Sequence, residues 1–534
     1  MKKFETLGVM IDRSRDAVMS LEGLGKFIPM LAKMGYNCIF LYTEDTYEVE
    51  GEPYFGYMRG RYSKEEMRAI DDLAYSYGIE VIPCIQTLAH LDTISRWGKF
   101  PMDTPGILLA DWDKTYELIE KMFKTLSECF RTRRIHVGMD EAHNLGRGAY
   151  LNKFGYETVD VIMKKHLSRV LPIAEKYGYE LMIWSDMFFR PWNGGKYSIP
   201  KTEIPKEYIE ALPKSVIPVY WDYYSTNEQN YLDMMDNHKQ LSKESWFAGG
   251  AWTWGGFLPH NRYTLATMKP AIDAARKKGM KHIFMTMWGD CGGECSKTAS
   301  LPSLFYISEY AKGVTDDEKI KAKFKRAFGI DFDAFMEIDT PNSFVPGITK
   351  PENPKNPTKY MLYSDYFVGH LDYTVAEGGS EFFAECERKL ISVAKSSRRF
   401  GYLFNTAAAL SGVLKYKYDL GVRTRAAYQA GDKAAIKELA ENDYVEAAKA
   451  IRRLAEAFEK QWMKENKSFG FEVHDIRLGG LIHRTEACRR RLLEYIKGET
   501  DAISELEVEI LPYGEEKKSI YKNGYREIAT SNVL

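Results

Sequence analysis

The feature that most constrains the fold is the alternation of short apolar segments with helical patterns over residues 1–313 of this 534-residue chain. The apolar segments lack polar alternation, as is typical of parallel strands that are buried on both faces. Eight such strand–helix units favour an α/β fold of the (β/α)8 TIM-barrel type over an open doubly wound sheet. The predicted strands are residues 7–11, 38–42, 79–85, 134–137, 180–184, 217–221, 247–252 and 282–288.

Local signals support the predicted helices between these strands. A helical pattern over residues 21–34 ends at Gly35, and Ser63-Lys64-Glu65-Glu66 has the form of a capping box that begins a helix. No glycine-rich fingerprint follows the first strand, which argues against a dinucleotide site. The alternation therefore predicts a barrel, and the missing fingerprint predicts that it binds no dinucleotide cofactor.

The pattern changes after about residue 314, where strand signals fade and long helical patterns begin. We therefore predict a barrel domain of residues 1–313 and a mainly α-helical C-terminal domain of residues 314–534, with a small hairpin in residues 506–534. The predicted C-terminal helices are residues 316–328, 381–420, 433–464 and 476–497.

The overall composition excludes several classes of protein. A net charge of -1 gives no electrostatic footprint for nucleic acid or an anionic membrane, and no apolar run is long enough to span a bilayer. The seven cysteines are scattered as reduced thiols would be and show no zinc spacing. Asp12 and Arg13 interrupt any signal-peptide core. We expect a cytoplasmic protein without a metal or other cofactor.

The segment from Arg134 to His143 is the strongest indication of chemistry. A short apolar strand meets Gly138, and two carboxylates, Asp140 and Glu141, follow side by side. Next to a glycosidic bond, one carboxyl group can donate a proton while the other stabilises developing positive charge. The alternative is a surface loop or a helix N-terminus, where acidic residues are also common.

Functional residues of a barrel lie at the C-terminal ends of its strands. Four successive predicted strands end in or next to Trp, which core filling does not readily explain, so an indole-walled pocket around a sugar is expected. The strand-end residues that could serve the site are Asp12, Arg13, Arg15, Glu44, Asp45, His90, His143, Trp184, Asp186, Trp221, Asp222, Tyr223, Tyr224, Trp252, Trp254, Trp288, Asp290 and Glu294.

These residues also carry a family resemblance. His136-Val137-Gly138-Met139-Asp140-Glu141 resembles the His-x-Gly-Gly-Asp-Glu motif of glycoside hydrolase family 20, the β-N-acetylhexosaminidases. The segment Gly8 to Arg15 is similar to the family's first strand. Residues 62–66, 78–83 and His90 resemble its second helix and third strand, and the strand-end Trp set falls where the family places pocket residues. The resemblance covers roughly residues 5–310.

The resemblance implies retaining, substrate-assisted catalysis, in which the 2-acetamido oxygen of the substrate attacks its own anomeric carbon. Asp140 would accept the acetamido N–H, and Glu141 would protonate the leaving oxygen. Tyr223 or Tyr224 would donate to the acetamido oxygen. Trp184, Trp221 and Trp254, with Trp252 beside them, would enclose the N-acetyl group. Trp288 would stack on the sugar, Asp290 would bind its hydroxyls, and His90 and His136 would support the acids, although His136 also fits a core imidazole.

The sequence departs from the family at several positions. Leu7 stands in place of the usual first-strand Arg, for which Arg13, Arg15 or Glu44 would have to compensate, and Met139 replaces the second Gly of the motif. Asp290 is shorter than the usual Glu. We expect a divergent branch without the family's usual N-terminal domain. It would act on terminal N-acetylglucosamine, or also N-acetylgalactosamine, of small oligosaccharides or glycoconjugates.

Two other interpretations stay open. One is a metal-dependent barrel hydrolase that uses His136, Asp140, Glu141 and His143, although no His-x-His follows the first strand and the ligand spacing fits poorly. The other is a sugar-binding protein that has lost catalysis. The long C-terminal helices could also pair two subunits into a homodimer.

Overall fold

A computed structural model describes residues 3–344, 354–513 and 520–534. Eight parallel strands close into a barrel, which confirms the predicted fold class. Strands that follow one another in the sequence are neighbours in the barrel, and the last strand pairs with the first, with Gly8 opposite Phe284. The strands are β1 Thr6–Asp12, β2 Cys38–Glu44, β3 Glu80–Ile85, β4 Arg134–His136, β5 Glu180–Trp184, β6 Ile217–Trp221, β7 Trp246–Gly250 and β8 His282–Met287.

The barrel interior is filled by side chains, as the apolar strand sequences require. Every residue of β1, β2 and β8 is buried. Phe40 and Phe284 stack with their ring centroids 4.1 Å apart, and Trp246 meets Phe40 edge to face. Gly8 allows β1 and β8 to approach closely, since a Cβ there would lie 3.0 Å from the Cβ of Phe284. The packed interior leaves the strand ends to carry the chemistry.

Helices follow the strands as the sequence pattern indicated. The first begins after Ser20, whose hydroxyl accepts the N–H of Gly23, and ends at Gly35, which has a φ of 90°. The capping box of Ser63 and Glu66 is present. The helices and helical turns from the first strand to residue 316 are Leu21–Met34, Lys64–Ser76, Asp92–Ser95, Asp113–Ser127, Ala149–Phe154, Val159–Lys176, Asp186–Phe188, Arg190–Trp192, Lys206–Ala211, Glu228–Leu241, Asn261–Lys278, Lys297–Ser300 and Leu301–Ala311.

The loop that follows β3 contains one element that the sequence did not predict. Met102–Thr104 and Ile107–Leu108 form a two-stranded antiparallel sheet around Gly106, which has a φ of 79°. The strands are too short to give a periodic signal.

After residue 316 the described part of the chain is mainly helical, as predicted, but two predicted helices are interrupted. Residues 381–420 form two helices that break near Ser397, and residues 433–464 contain a π-helical turn at Leu439–Asp443. The helices and turns are Asp317–Phe328, Phe332–Met336, Glu337–Ser343, Pro357–Tyr363, Asp372–Thr374, Gly379–Ser396, Gly401–Lys417, Leu420–Gln429, Lys433–Glu438, Leu439–Asp443, Tyr444–Glu465, Phe471–Lys497, Ser504–Glu507 and Tyr525–Ala529.

The predicted C-terminal hairpin is wrong within the part of the chain that the structure describes. Residues 506–513 and 520–534 contain no strand, and Tyr525–Ala529 is a short helix instead. Residues 514–519 of that prediction lie outside the described residues. Apolar residues of this segment, such as Ile520 and Ile528, are buried.

The chain divides into two compact units that interleave along the sequence. The first comprises Met1–Ala251, Thr264–Trp288 and Leu304–Asp316, and the second comprises Trp252–Tyr263, Gly289–Ser303 and Asp317–Leu534. Two barrel loops therefore belong to the second unit, and the predicted boundary at residue 313 stays a prediction. Among the described helices, none is both long enough and apolar enough to cross a membrane.

Candidate active site

A strained turn at the end of β4 presents the two adjacent carboxylates. Gly138, Met139 and Glu141 all have positive φ values, of 72°, 69° and 52°. A Cβ on Gly138 would lie 2.1 Å from Oε1 of Gln86, so any larger residue would displace the Gln86 amide and would also strain the left-handed backbone. Left-handed backbone at non-glycine residues is costly and is found where the surroundings impose it, often at functional sites.

Asp140 is buried and held by two donors. Gln86 donates from Nε2 to Oδ1 of Asp140 at 2.7 Å, and Nε2 of His90 lies 3.1 Å from Oδ2. Gln86 also accepts the N–H of Met139 at 3.0 Å, which ties its amide to the turn. Burial alone would raise the pKa of Asp140, but the charge of His90 and the two side-chain hydrogen bonds lower it below its ordinary value. Asp140 is thus kept ionised and oriented.

Glu141 is the more exposed of the two acids, with 40% of its side chain accessible. Its backbone N–H donates to Oδ2 of Asp186 at 3.0 Å, and its Oε1 lies 3.4 Å from Nη2 of Arg190. Arg190 in turn pairs through Nε with Asp186 at 3.1 Å. Burial, followed by the nearby charge of Asp140, raises the pKa of Asp186. The exposed carboxylate can therefore exchange protons with ligand or water while its backbone is fixed.

His90 connects the two acids. Its Nε2 lies 3.1 Å from Asp140 and 3.8 Å from Oε2 of Glu141, so both carboxylates face one imidazole. Burial opposes a charged imidazole, but the Asp140 carboxylate outweighs it and raises the pKa of His90 to about 9. At neutral pH the imidazole therefore carries a positive charge beside Asp140.

Arg15 lies at the ends of β1 and β2, beside their acidic residues. Its Nη1 lies 3.1 Å from Glu44 and 3.4 Å from Asp12, and its guanidinium lies 5.3 Å from the ring centroids of Tyr42 and Trp288. The Tyr42 hydroxyl donates to Glu44 at 2.9 Å and accepts from Gln86 at 3.0 Å, which connects this group to Asp140. Three residues were candidates to compensate for the missing first-strand Arg at Leu7. Arg15 and Glu44 lie together next to Trp288, whereas Arg13 is buried.

Three of the predicted Trp residues form one aromatic group with Tyr223. Trp288 donates from Nε1 to the Tyr223 hydroxyl at 3.1 Å, and its ring centroid lies 6.1 Å from that of Trp184. Trp221 stacks on Tyr223 with centroids 5.5 Å apart and an interplanar angle of 19°. These rings come from the ends of β5, β6 and β8.

The structure does not bring every predicted residue to this group. Tyr224 is exposed to solvent, whereas His136 lies within the barrel, where its Nδ1 accepts the N–H of Gly138 at 3.1 Å. Burial lowers the pKa of His136 to about 3, so its imidazole is neutral and packs against Trp184 at 4.3 Å. His143, which the metal-site alternative required, is exposed.

Trp252, Trp254 and Asp290 belong to the second compact unit. The rings of Trp252 and Trp254 stack with centroids 4.2 Å apart, and Oδ2 of Asp290 accepts a hydrogen bond from Asn523 at 3.2 Å. Their predicted roles in substrate binding stay predictions.

Sequence reasoning missed Gln86, Tyr42 and Arg190 as parts of the site. Gln86 directly follows β3 and was detectable as a polar residue at a strand end. His90, in the same loop, was predicted instead. Tyr42 lies inside an apolar strand, and Arg190 lies in a short helical turn after β5, so neither position carries a signal. Among the described residues, no group of three or more His, Cys, Asp or Glu side chains is arranged to hold a metal ion.

Comparison with known proteins agrees with the resemblance seen in the sequence. Residues 4–289 match the catalytic domain of glycosyl hydrolase family 20, and residues 333–523 match the Glycoside Hydrolase 20C C-terminal domain. Human hexosaminidase D is 24% identical over 38% of this chain and 41% of that protein, and the Bos taurus hexosaminidase D is 25% identical over 43% and 65%. The chain thus spans less than two thirds of the length of either relative.

A GH20 exo-β-N-acetylglucosaminidase from Vibrio harveyi superposes with a TM-score of 0.47 and 15% identity, over 63% of this chain and 58% of that one. The catalytic-domain match extends over more than half of the chain and includes the β4 turn with both acids. The protein therefore belongs to glycoside hydrolase family 20.

Proposed function

We propose that this protein is an exo-acting β-N-acetylhexosaminidase that releases terminal β-linked N-acetylglucosamine by retaining, substrate-assisted catalysis. The observation that carries the proposal is the shared position of Asp140 and Glu141, both within 4 Å of Nε2 of His90. Two carboxylates in one site with unequal exposure can take two different roles. Family membership supports a carbohydrate substrate.

Asp140 is proposed to accept the acetamido N–H of the substrate. Gln86 and His90 hold its carboxylate ionised, so its charge is in place before positive charge develops at the anomeric carbon. The acetamido oxygen then attacks that carbon as the glycosidic bond breaks, and an oxazolinium ion forms.

Glu141 is proposed to act first as the general acid and then as the general base. It gives its proton to the leaving oxygen, and it takes a proton from the water that adds to the anomeric carbon and opens the oxazolinium ring. Its exposure suits a group that must meet both the leaving group and water. The contact with Arg190 and the bond from its backbone to Asp186 limit its motion.

Tyr223 is proposed to donate its hydroxyl to the acetamido oxygen. Trp288 donates to the Tyr223 oxygen at 3.1 Å and so fixes the direction of the phenol. Tyr224 suits this role less well, because its side chain is exposed. Trp221 and Trp288 are proposed to supply apolar surface for the N-acetyl group and the sugar face, and the buried ring of Trp184 packs against Trp288.

The test is a panel of 4-nitrophenyl glycosides assayed with a thiazoline competitor. We expect release from the β-N-acetylglucosaminide, with tight inhibition by the thiazoline, and little release from the β-glucoside, which lacks the acetamido nucleophile. The β-N-acetylgalactosaminide shows whether the second amino sugar is accepted. Comparable turnover of the glucoside would rule out substrate assistance. Loss of activity in EDTA would favour the metal-dependent alternative, and thiazoline binding without turnover would favour a sugar-binding protein.

A further inference from the structure

Exposed aromatic side chains cluster on the loops that follow β2 and β3. Tyr54 and Tyr57 are 41% and 43% exposed, and their ring centroids lie 6.1 Å apart. Trp97, from the β3 loop, lies 5.7 Å from Tyr54 and 5.4 Å from Tyr57. We call these three residues the aromatic platform. Contiguous exposed apolar surface of this kind usually marks a binding site.

The β2 loop that carries the platform is held rigidly. Phe55, between the two Tyr residues, is buried and packs edge to face on Tyr47 and Phe100 at 5.2 and 6.2 Å. Arg61 donates to the carbonyl groups of Pro53 and Phe55. Rigid aromatic side chains give contact area at a low entropic cost, so the loop is built to present Tyr54 and Tyr57.

The two loops that carry the platform connect to residues of the candidate active site. A Cβ on Gly56 would lie 2.1 Å from the carbonyl oxygen of Asp45, so the loop tip folds back onto the residue that follows Glu44. Glu44 pairs with Arg15 at 3.1 Å. The β3 loop that carries Trp97 also contains His90, whose Nε2 lies 3.1 Å from Asp140 and 3.8 Å from Glu141. The same two loops therefore hold catalytic contacts at their bases and the platform at their tips.

We propose that the aromatic platform binds the aglycone sugars of an oligosaccharide substrate. This inference rests on the proposed function, because an exo-acting enzyme places only the terminal sugar among the acids and must hold the remaining pyranose rings outside. The apolar C–H face of a pyranose fits the face of an aromatic ring, and the neighbouring ammonium group of Lys99, 5.6 Å from the Tyr54 centroid, can serve the hydroxyl groups.

The test compares chitotriose with 4-nitrophenyl β-N-acetylglucosaminide in the variants Tyr54→Ala, Tyr57→Ala, Trp97→Ala and their combination. Tyr75→Ala is the matched control, because Tyr75 is an exposed Tyr on the helix Lys64–Ser76. We expect kcat/KM for chitotriose to fall roughly five- to tenfold per ring. The 4-nitrophenyl substrate and the inhibition constant of N-acetylglucosamine should change less than twofold. Tyr57→Phe and Trp97→Phe should restore most of the loss.

Equal loss on both substrates, or no loss on either, would overturn the inference while leaving the proposed function intact. If the wild-type protein cleaves neither substrate, the proposed function fails, and the platform is tested by calorimetric binding of chitotriose to the wild-type and triple-variant proteins. Equal affinity of the two proteins for chitotriose would then refute sugar binding by the platform. A second copy of the chain is the competing occupant, and sedimentation that shows a dimer lost in the triple variant, with unchanged chitotriose kinetics, would assign the platform to self-association.

Discussion

At the scale of single residues, the two neighbouring acids differ most in their surroundings. Asp140 is buried against Gln86 and His90, whereas Glu141 is largely accessible and lies beside Arg190. Adjacent residues can differ in this way because the positive φ values at Met139 and Glu141 turn the backbone between them. In the proposed mechanism, this difference in environment separates the fixed charge of Asp140 from the proton donor, Glu141.

Replacing Glu141 with Gln tests the proton-transfer role. We expect kcat on chitotriose to fall about 10²- to 10⁴-fold, which is the usual contribution of a general acid. The 2,4-dinitrophenolate group of a 2,4-dinitrophenyl glycoside leaves without protonation. The first step on this substrate should therefore be nearly unaffected by Glu141→Gln. Steady-state and burst kinetics on the two substrates check this. Since Glu141 is also the proposed base of the second step, the first step decides: an equal loss in the rate of the first step on both substrates would contradict the assignment of Glu141 as the acid.

His90 predicts a specific dependence of stability on pH. Its pKa is raised to about 9 in the folded protein, against about 6.5 in an unfolded chain. The stabilisation from its charge is therefore complete below about pH 6.5 and is lost as the pH rises through about 9. Asp140 does not titrate in this window, because its pKa is lowered.

The measurement is the apparent Tm of the wild-type protein and of His90→Gln at pH 6 and pH 9.5. We expect the variant to melt several degrees below the wild-type protein at pH 6. The difference in Tm between the two proteins should be smaller at pH 9.5. Comparing the two proteins at each pH cancels the titration of distant groups. A gap that is constant or wider at pH 9.5 would show that the imidazole is not charged in the folded site.

At the scale of elements, the turn after β4 depends on one glycine. Gly138 and Gly178 have similar φ values, 72° and 70°. A Cβ on Gly138 would lie 2.1 Å from Gln86, whereas a Cβ on Gly178 would have no atom within 4 Å. Gly178→Ala should cost about 1 kcal/mol from backbone strain alone. Gly138→Ala should cost clearly more and also lower kcat at least tenfold, because Gln86 must leave Asp140.

Thermal melting and kinetics of the two alanine variants separate these effects. The control Gly178→Ala should retain full activity per folded molecule. If Gly138→Ala behaves like Gly178→Ala in both measurements, the Gln86 contact does not orient the acid.

Much of the fold was predictable because the barrel repeats one pattern. Strands buried on both faces, such as β1 and β8, give uninterrupted apolar runs, and caps such as Ser63 mark where the helices begin. The predicted hairpin near the C-terminus was wrong because isolated apolar residues such as Ile528 gave no periodicity to distinguish a strand from a short helix.

The candidate site was predictable where polar or aromatic residues lie within a few positions of a strand end, although Gln86 was missed in such a position. Asp140, Glu141 and Trp184 stand at strand ends, so the barrel rule selected them. The contact between Arg190 and Glu141 depends on a helical turn whose path the sequence does not encode in any pattern. Likewise, Arg13 and Arg15 are equivalent in the sequence, and only the fold buries one and places the other at the mouth.

At the scale of the whole molecule, the two compact units are interleaved rather than consecutive. Residues 252–263 and 289–303 are barrel loops in the sequence but belong to the second unit. Their side chains have partners far along the chain. Glu294 is buried against Lys359 at 2.8 Å, and Asn356 donates to the carbonyl of Gly255 at 2.6 Å. A cut at the boundary that the sequence suggests would remove these partners.

We therefore expect a fragment of residues 1–313 to lack a cooperative thermal transition, although it contains all eight strands. Two of its loops would lose their partners, and Glu294 would lose both cations that compensate its burial, Lys359 and Arg477. In the full chain, Lys359→Met removes one of these cations while Arg477 stays 3.5 Å from Glu294, so it should destabilise the second unit by less than the about 3–5 kcal/mol of a fully unpaired buried charge. Calorimetry of the fragment, the variant and the full chain compares the cooperativity and midpoint of their thermal unfolding. A fragment that melts cooperatively within a few degrees of the full chain would show that the barrel folds without the second unit, and the boundary at residue 313 would then be a true domain boundary.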